Sequence, residues 1–153
     1  MSQSLKILKA LTDATRLRLV ALLSREELSV NELKEITELG QSRISTHLGV
    51  LQDNGLLKFR KDGKRSLYRI NPEANSQARE CLEIARRIAT EGDENEPDAR
   101  NLKRVLEQRS EQAQVYFNQV AGRFDQKYGP GRSWQAFGQL LLQLVPPLDI
   151  ADL

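Results

Sequence analysis

Apolar residues recur at helical spacing through most of this chain. Leu5, Leu8 and Leu11 share one face and predict a short first helix. Asp13 is placed to cap a second, with Leu17, Leu19, Val20, Leu22 and Leu23 as its dense apolar set. Ser29-Val30-Asn31-Glu32 has capping-box spacing and opens a third helix that runs to about Thr37. Leu39-Gly40 makes a tight turn. A fourth helix follows over about Gln41–Asn54, with Ile44, Leu48 and Leu51 inside, Val50 beside them and Gly55 as its C-terminal stop. Period-two alternation takes over in residues 56–61 and 64–70. These read as two strands around Asp62-Gly63, with Leu67 opposite Phe59.

Helical spacing then returns. Asn71-Pro72 is expected to start a helix reaching Thr90, striped with Ala78, Cys81, Leu82, Ala85, Ile88 and Ala89. Residues 91–98 hold five acidic residues plus Gly92 and Pro97 and read as a linker. Beyond it, Leu102, Val105, Leu106, Ala113, Tyr116, Phe117, Val120 and Phe124 mark a long helix. Tyr128-Gly129-Pro130-Gly131 breaks the pattern. Trp134, Phe137, Leu140, Leu141 and Leu144 mark a further helix, and residues 148–153 read as a strand. Six of the eight aromatics fall after residue 115, which suggests a second core rather than a tail. The fold class expected is mainly α with a small β-hairpin wing: a winged helix-turn-helix over residues 1–90, an acidic linker over 91–98, and a helical segment over 99–153.

Charge changes the picture locally. The 153 residues carry 23 Lys+Arg and 21 Asp+Glu, a net +2. Residues 41–70 hold seven basic and two acidic side chains, so the entire positive excess lies in thirty residues. A concentrated positive field suits a polyanion partner, and equally a solvated face. The outer face of the fourth helix, Gln41, Ser42, Arg43, Ser45, Thr46 and His47, holds compact hydrogen-bonding side chains and no carboxylate. Together with Lys58, Arg60, Lys61, Lys64 and Arg65 on the hairpin, it forms the expected surface for double-stranded DNA. The helix would read base edges in the major groove, and the hairpin would follow the backbone. His47 alternatively closes the helix-turn-helix from inside. The single cysteine, Cys81, excludes an intrachain disulfide and leaves a reducing cytoplasm as the default compartment. No apolar run approaches a membrane span. No catalytic triad, paired catalytic carboxylates or phosphate-binding glycine loop is present.

Three separate motifs resemble the ArsR/SmtB family of bacterial repressors. They are residues 8–19, residues 41–51 with Gly55-Leu56, and residues 62–68. The resemblance implies a homodimer built on the first helix and the 72–90 helix. Leu5, Leu8, Leu11, Ala78, Cys81, Leu82, Ala85 and Ile88 would then form the interface. It also implies a palindromic operator and release by a ligand. Arg16 matches a family arginine, structural or phosphate-directed. Metal-sensing relatives need thiolates on the third helix or His and carboxylate pairs on the last dimer helix. Neither pattern occurs here, so no metal is expected. Residues 116–125 and 148–153 resemble the lead-in to a class I S-adenosylmethionine-dependent methyltransferase, whose cofactor-cradling glycines would follow Leu153. That resemblance implies no cofactor in these 153 residues, with S-adenosylmethionine or S-adenosylhomocysteine bound by a longer protein. It leaves the alternative that the winged helix is an accessory module of such an enzyme.

Overall fold

The computed structural model describes residues 2–90 and 96–128, with side chains outside 90, 96 and 122–128. The chain divides into two compact units, Met1–Glu107 and Gln108–Leu153. The first unit therefore reaches beyond the expected boundary at residue 90, because Leu102 and Val105 are buried in its core.

The elements run α1 (Gln3–Leu11), α2 (Ala14–Leu23), β1 (Leu28–Ser29), α3 (Val30–Thr37), α4 (Gln41–Asp53), β2 (Leu57–Asp62), β3 (Arg65–Ile70), α5 (Ser76–Thr90) and α6 (Glu96–Tyr128). Capping fixes the early boundaries. The Asp13 carboxylate accepts from the Arg16 amide at 3.0 Å and starts α2. Ser29 and Glu32 complete a reciprocal capping box at α3. Glu38 adopts a left-handed conformation (φ 59°) and ends α3. Gly55, at φ 73°, turns the chain from α4 into β2. Ile7, Leu19, Leu28, Leu33, Ile36, Ile44, Leu48 and Leu51 form the sealed centre around which α1–α4 pack.

The sheet has three strands in the order β1-β3-β2, all antiparallel. β1 is an element the alternation did not reveal, since two residues have no readable period. The hairpin also differs from expectation. Asp62 pairs with Arg65, so the two loop residues are Gly63 and Lys64. Gly63 takes φ 58° while Lys64 does not take a positive φ, the pattern of a type II′ turn. This moves the register by one residue: Phe59 faces Tyr68, with ring centroids 5.7 Å apart, and Leu67 faces Arg60.

α5 starts at Ser76 rather than at Asn71-Pro72. The Asn71 side-chain oxygen accepts from the Glu73 amide, and its Nδ2 donates to the Gly55 carbonyl at 2.9 Å. That makes a side-chain turn, and Asn75 caps the helix instead, accepting from the Ala78 amide at 2.8 Å. Pro97 and Asp98, expected in the linker, belong to α6, and Asp98 is buried. Residues 91–95 of that linker lie outside the described residues, as do the helix and strand expected after Tyr128. In the second unit, Tyr116 and Phe117 are exposed rather than packed in a core.

Candidate nucleic-acid interface

α4 presents its expected face. Gln41, Ser42, Arg43, Ser45 and Thr46 are exposed, while Ile44, Leu48 and Leu51 are buried behind them. The Thr46 hydroxyl donates to the Ser42 carbonyl at 2.9 Å. Arg43 is less free than a purely outward arginine, because its Nη2 donates to the buried Thr15 hydroxyl at 3.0 Å. Its remaining N–H groups can still bond elsewhere.

His47 turns away from that face. Its side chain is 15% exposed, and Nδ1 lies 3.6 Å from the Asp13 carboxylate, beyond hydrogen-bond length. The residue therefore packs where α4 meets the start of α2, as in the inside-closing alternative. Asp13 caps α2 and lies beside both the Arg16 guanidinium and the His47 ring. Burial pushes its carboxyl pKa up. Amide hydrogen bonds from Arg16 and Thr15 and the nearby Arg16 and His47 charges outweigh that, and hold it below its ordinary value. Arg16 is structural: it donates from Nε to the Ala10 carbonyl and from Nη2 to the Lys9 carbonyl at 3.3 Å, covering the end of α1.

The hairpin cations split into two groups. Lys58 pairs with Glu73, and Arg60 Nε donates to Glu27 at 2.8 Å. Arg69, not among the residues expected to face DNA, reaches Glu27 at 3.3 Å. The Lys58 hydrogen bond lowers the Glu73 pKa. Lys61, Lys64 and Arg65 at the tip are exposed and form no ion pair among the described residues. Glu27 and Glu73 stand outside the thirty-residue basic segment, so the charge of that segment alone could not reveal these pairs.

The expected interface residues also divide. Leu11, Ala78, Leu82 and Ala85 are buried within this single chain, where α1 and α2 pack on α5, so they serve its own core. Cys81 is half-buried. Leu5, Leu8 and Ile88 are exposed by about half, and so is Ile84, which the apolar stripe did not single out. Among the described residues no group of three or more His, Cys, Asp or Glu is placed to hold a metal ion, and no helix is long and apolar enough to cross a membrane.

A two-helix turn feeding an exposed polar helix, followed by a β-ribbon with a cationic tip, defines a winged helix-turn-helix. HlyU from Vibrio cholerae N16961 is similar in structure, with a TM-score of 0.50 at 31% identity over 56% of this chain and 90% of that one. Residues 13–58 match the model of the arsR family of bacterial regulatory proteins. The Escherichia coli arsenical resistance operon repressor is 39% identical over 88 residues, 57% of this chain and 75% of that protein. The arsenic resistance transcriptional regulator ArsR1 of Pseudomonas putida is 44% identical over 68 residues, 44% of this chain and 53% of that protein. This chain thus spans only about half the length of that second relative. The chain belongs to the arsR family of bacterial regulatory proteins. These relatives are regulators by name and lend no support to the methyltransferase resemblance, whose residues 148–153 lie outside the described ones.

Proposed function

We propose that this chain is a dimeric, DNA-binding transcriptional regulator of repressor type, released from a palindromic operator by a ligand other than a metal. The observation that carries it is the presence on one chain of the exposed Gln41, Ser42, Ser45 and Thr46 and of the exposed wing-tip Lys61, Lys64 and Arg65, which form no ion pair among the described residues. Short polar side chains on a groove-sized helix discriminate base edges, and cations on a ribbon bind phosphates. The name of the Escherichia coli arsenical resistance operon repressor supports this direction of regulation. A second copy of the chain is the occupant that fits Leu5, Leu8, Ile84 and Ile88, since these apolar side chains are exposed on two helices that touch each other. The absence of Cys from α3 and of His from α5 supports a non-metal ligand.

Enrichment of duplexes from a random library, followed by fluorescence anisotropy, tests this reading. The enriched duplex is expected to contain inverted half-sites about 10 base pairs apart and to bind with a steep salt dependence. Equal affinity for enriched and random duplexes would overturn it. Binding of S-adenosylmethionine by this chain would favour the accessory-module reading instead.

A further inference from the structure

The end of α3 is completed by residues that lie beyond the family-matched segment. A helix leaves its last carbonyls without intrahelical donors, and those of α3 sit where the chain must turn sharply into α4. Ile36 and Thr37 are the last two residues of α3. The Ile36 carbonyl accepts from Asn101 Nδ2 at 2.9 Å. The Thr37 carbonyl accepts from Arg18 Nη2 at 3.2 Å. Arg18 is itself held by a two-pronged pair with Asp98, at 2.8 Å from Nε and 2.7 Å from Nη2. Asp98 is 4% exposed while the Arg18 side chain is 31% exposed, and the two-pronged geometry fixes their mutual orientation. Arg104 adds a looser contact to Glu35 at 3.5 Å. Leu102 and Val105, on the same turns of α6, are buried in the core.

We propose that Asp98 and Asn101 of α6 are positioning residues for the recognition helix: they complete the C-terminal cap of α3, and so fix the Glu38–Gly40 turn that aims α4. Residues 13–58 match the family model, whereas Asp98 and Asn101 do not fall within it. Glu38 already sits in a left-handed conformation, and the Leu39 amide donates to the Thr37 hydroxyl at a long 3.4 Å. The Glu38 amide donates to the Lys34 carbonyl at 3.0 Å, which leaves the later Ile36 and Thr37 carbonyls for Asn101 and Arg18 to anchor. Arg18 belongs to the second helix, yet its reach to Thr37 is set by a carboxylate some 80 positions along the chain. The helix after the winged unit thus acts on the geometry of DNA reading without facing DNA.

This proposal rests on the DNA-binding reading, and the test separates the two. Asp98→Asn keeps the side-chain shape and removes the charge that orients Arg18. Asn101→Ala removes one hydrogen bond and leaves the buried Leu102 and Val105 in place. Amide hydrogen exchange on the full chain reads the turn directly, with Leu22 and Leu51 as core references. Exchange at Glu38 and Leu39 is expected to rise about tenfold more than at the references. Affinity for the enriched duplex is expected to fall about 3- to 30-fold, the range of mutations that act through a packed network. Random-sequence affinity should change less, because the wing is untouched. Exchange at Glu38 and Leu39 that rises no more than at the references overturns the proposal. Loss of folding in Asn101→Ala overturns it too, because the side chain would then be a fold determinant. If the wild-type chain binds no duplex, the DNA reading fails and the exchange measurement alone decides the role of the cap.

Discussion

The base and the tip of the β2–β3 ribbon carry the same kind of side chain in different electrical states. At the base, Lys58 is paired with Glu73, while Arg60 and Arg69 share Glu27. At the tip, Lys61, Lys64 and Arg65 are exposed and have no ion pair among the described residues. A surface pair is worth little energetically, but it cancels the field that a distant polyanion feels. On the proposed DNA-binding reading, the difference predicts that the attraction for nucleic acid is concentrated at the two-residue turn and its flanks. The cations near the body of the domain orient the ribbon instead.

Neutralising the tip gives the largest expected effect. Lys61→Ala, Lys64→Ala and Arg65→Ala combined should weaken enriched and random duplexes alike. The slope of log K against log salt should flatten by about 3, since each phosphate no longer neutralised accounts for roughly 0.9. An unchanged slope would show that the tip does not touch the backbone. Arg43→Ala comes next and should behave oppositely. It is expected to cost about 1–3 kcal/mol on the enriched duplex and to relax one base position, with little change on random DNA. Equal losses on both would mean that Arg43, tied to Thr15, supports α4 rather than reads bases.

A smaller effect concerns the carboxylate under the recognition helix. The Asp13 pKa is lowered in the folded chain, so its contribution to stability is present above the ordinary carboxylate range and lost as pH falls through the lowered value. Asp13→Ala removes an N-cap and should cost about 1 kcal/mol at neutral pH. The variant should also lose less stability than the wild type on acidification. Parallel stability curves for the two proteins, measured by urea unfolding at several acidic pH values, would show that Asp13 is not the linked group.

Most of the architecture was legible because local chemistry dictates it. Asp13, Ser29 with Glu32, and Gly55 each start or stop an element through bonds made within a few residues. The exposed face of α4 was legible for the same reason, since helical spacing separates Ile44, Leu48 and Leu51 from their polar neighbours. What failed depended on partners distant in sequence or on competing local bonds. Asn71 makes its own side-chain turn, which delays α5 to Ser76. The hairpin turns around Gly63-Lys64, which slides the strand register by one residue. The family resemblance implies an interface role for Leu11, Ala78, Leu82 and Ala85, while within the single chain these residues are buried against its own helices. Asp98 reads as one more linker acid until Arg18 is seen beside it.

The smallest expected effect bears most directly on the ribbon, because it converts base into tip. Glu27→Gln removes the carboxylate facing Arg60 and Arg69 while keeping the side-chain length. If pairing is what silences the base, random-duplex affinity should rise, by less than about 1 kcal/mol, the scale of an exposed pair. The salt dependence should steepen with it, since newly available cations displace more counterions from the phosphates. If instead the base lies too far from the duplex, both measurements should match the wild type even though the protein has gained positive charge. The two outcomes separate screening by Glu27 from distance. Only the first would make the carboxylates outside the basic segment regulators of how strongly this surface binds.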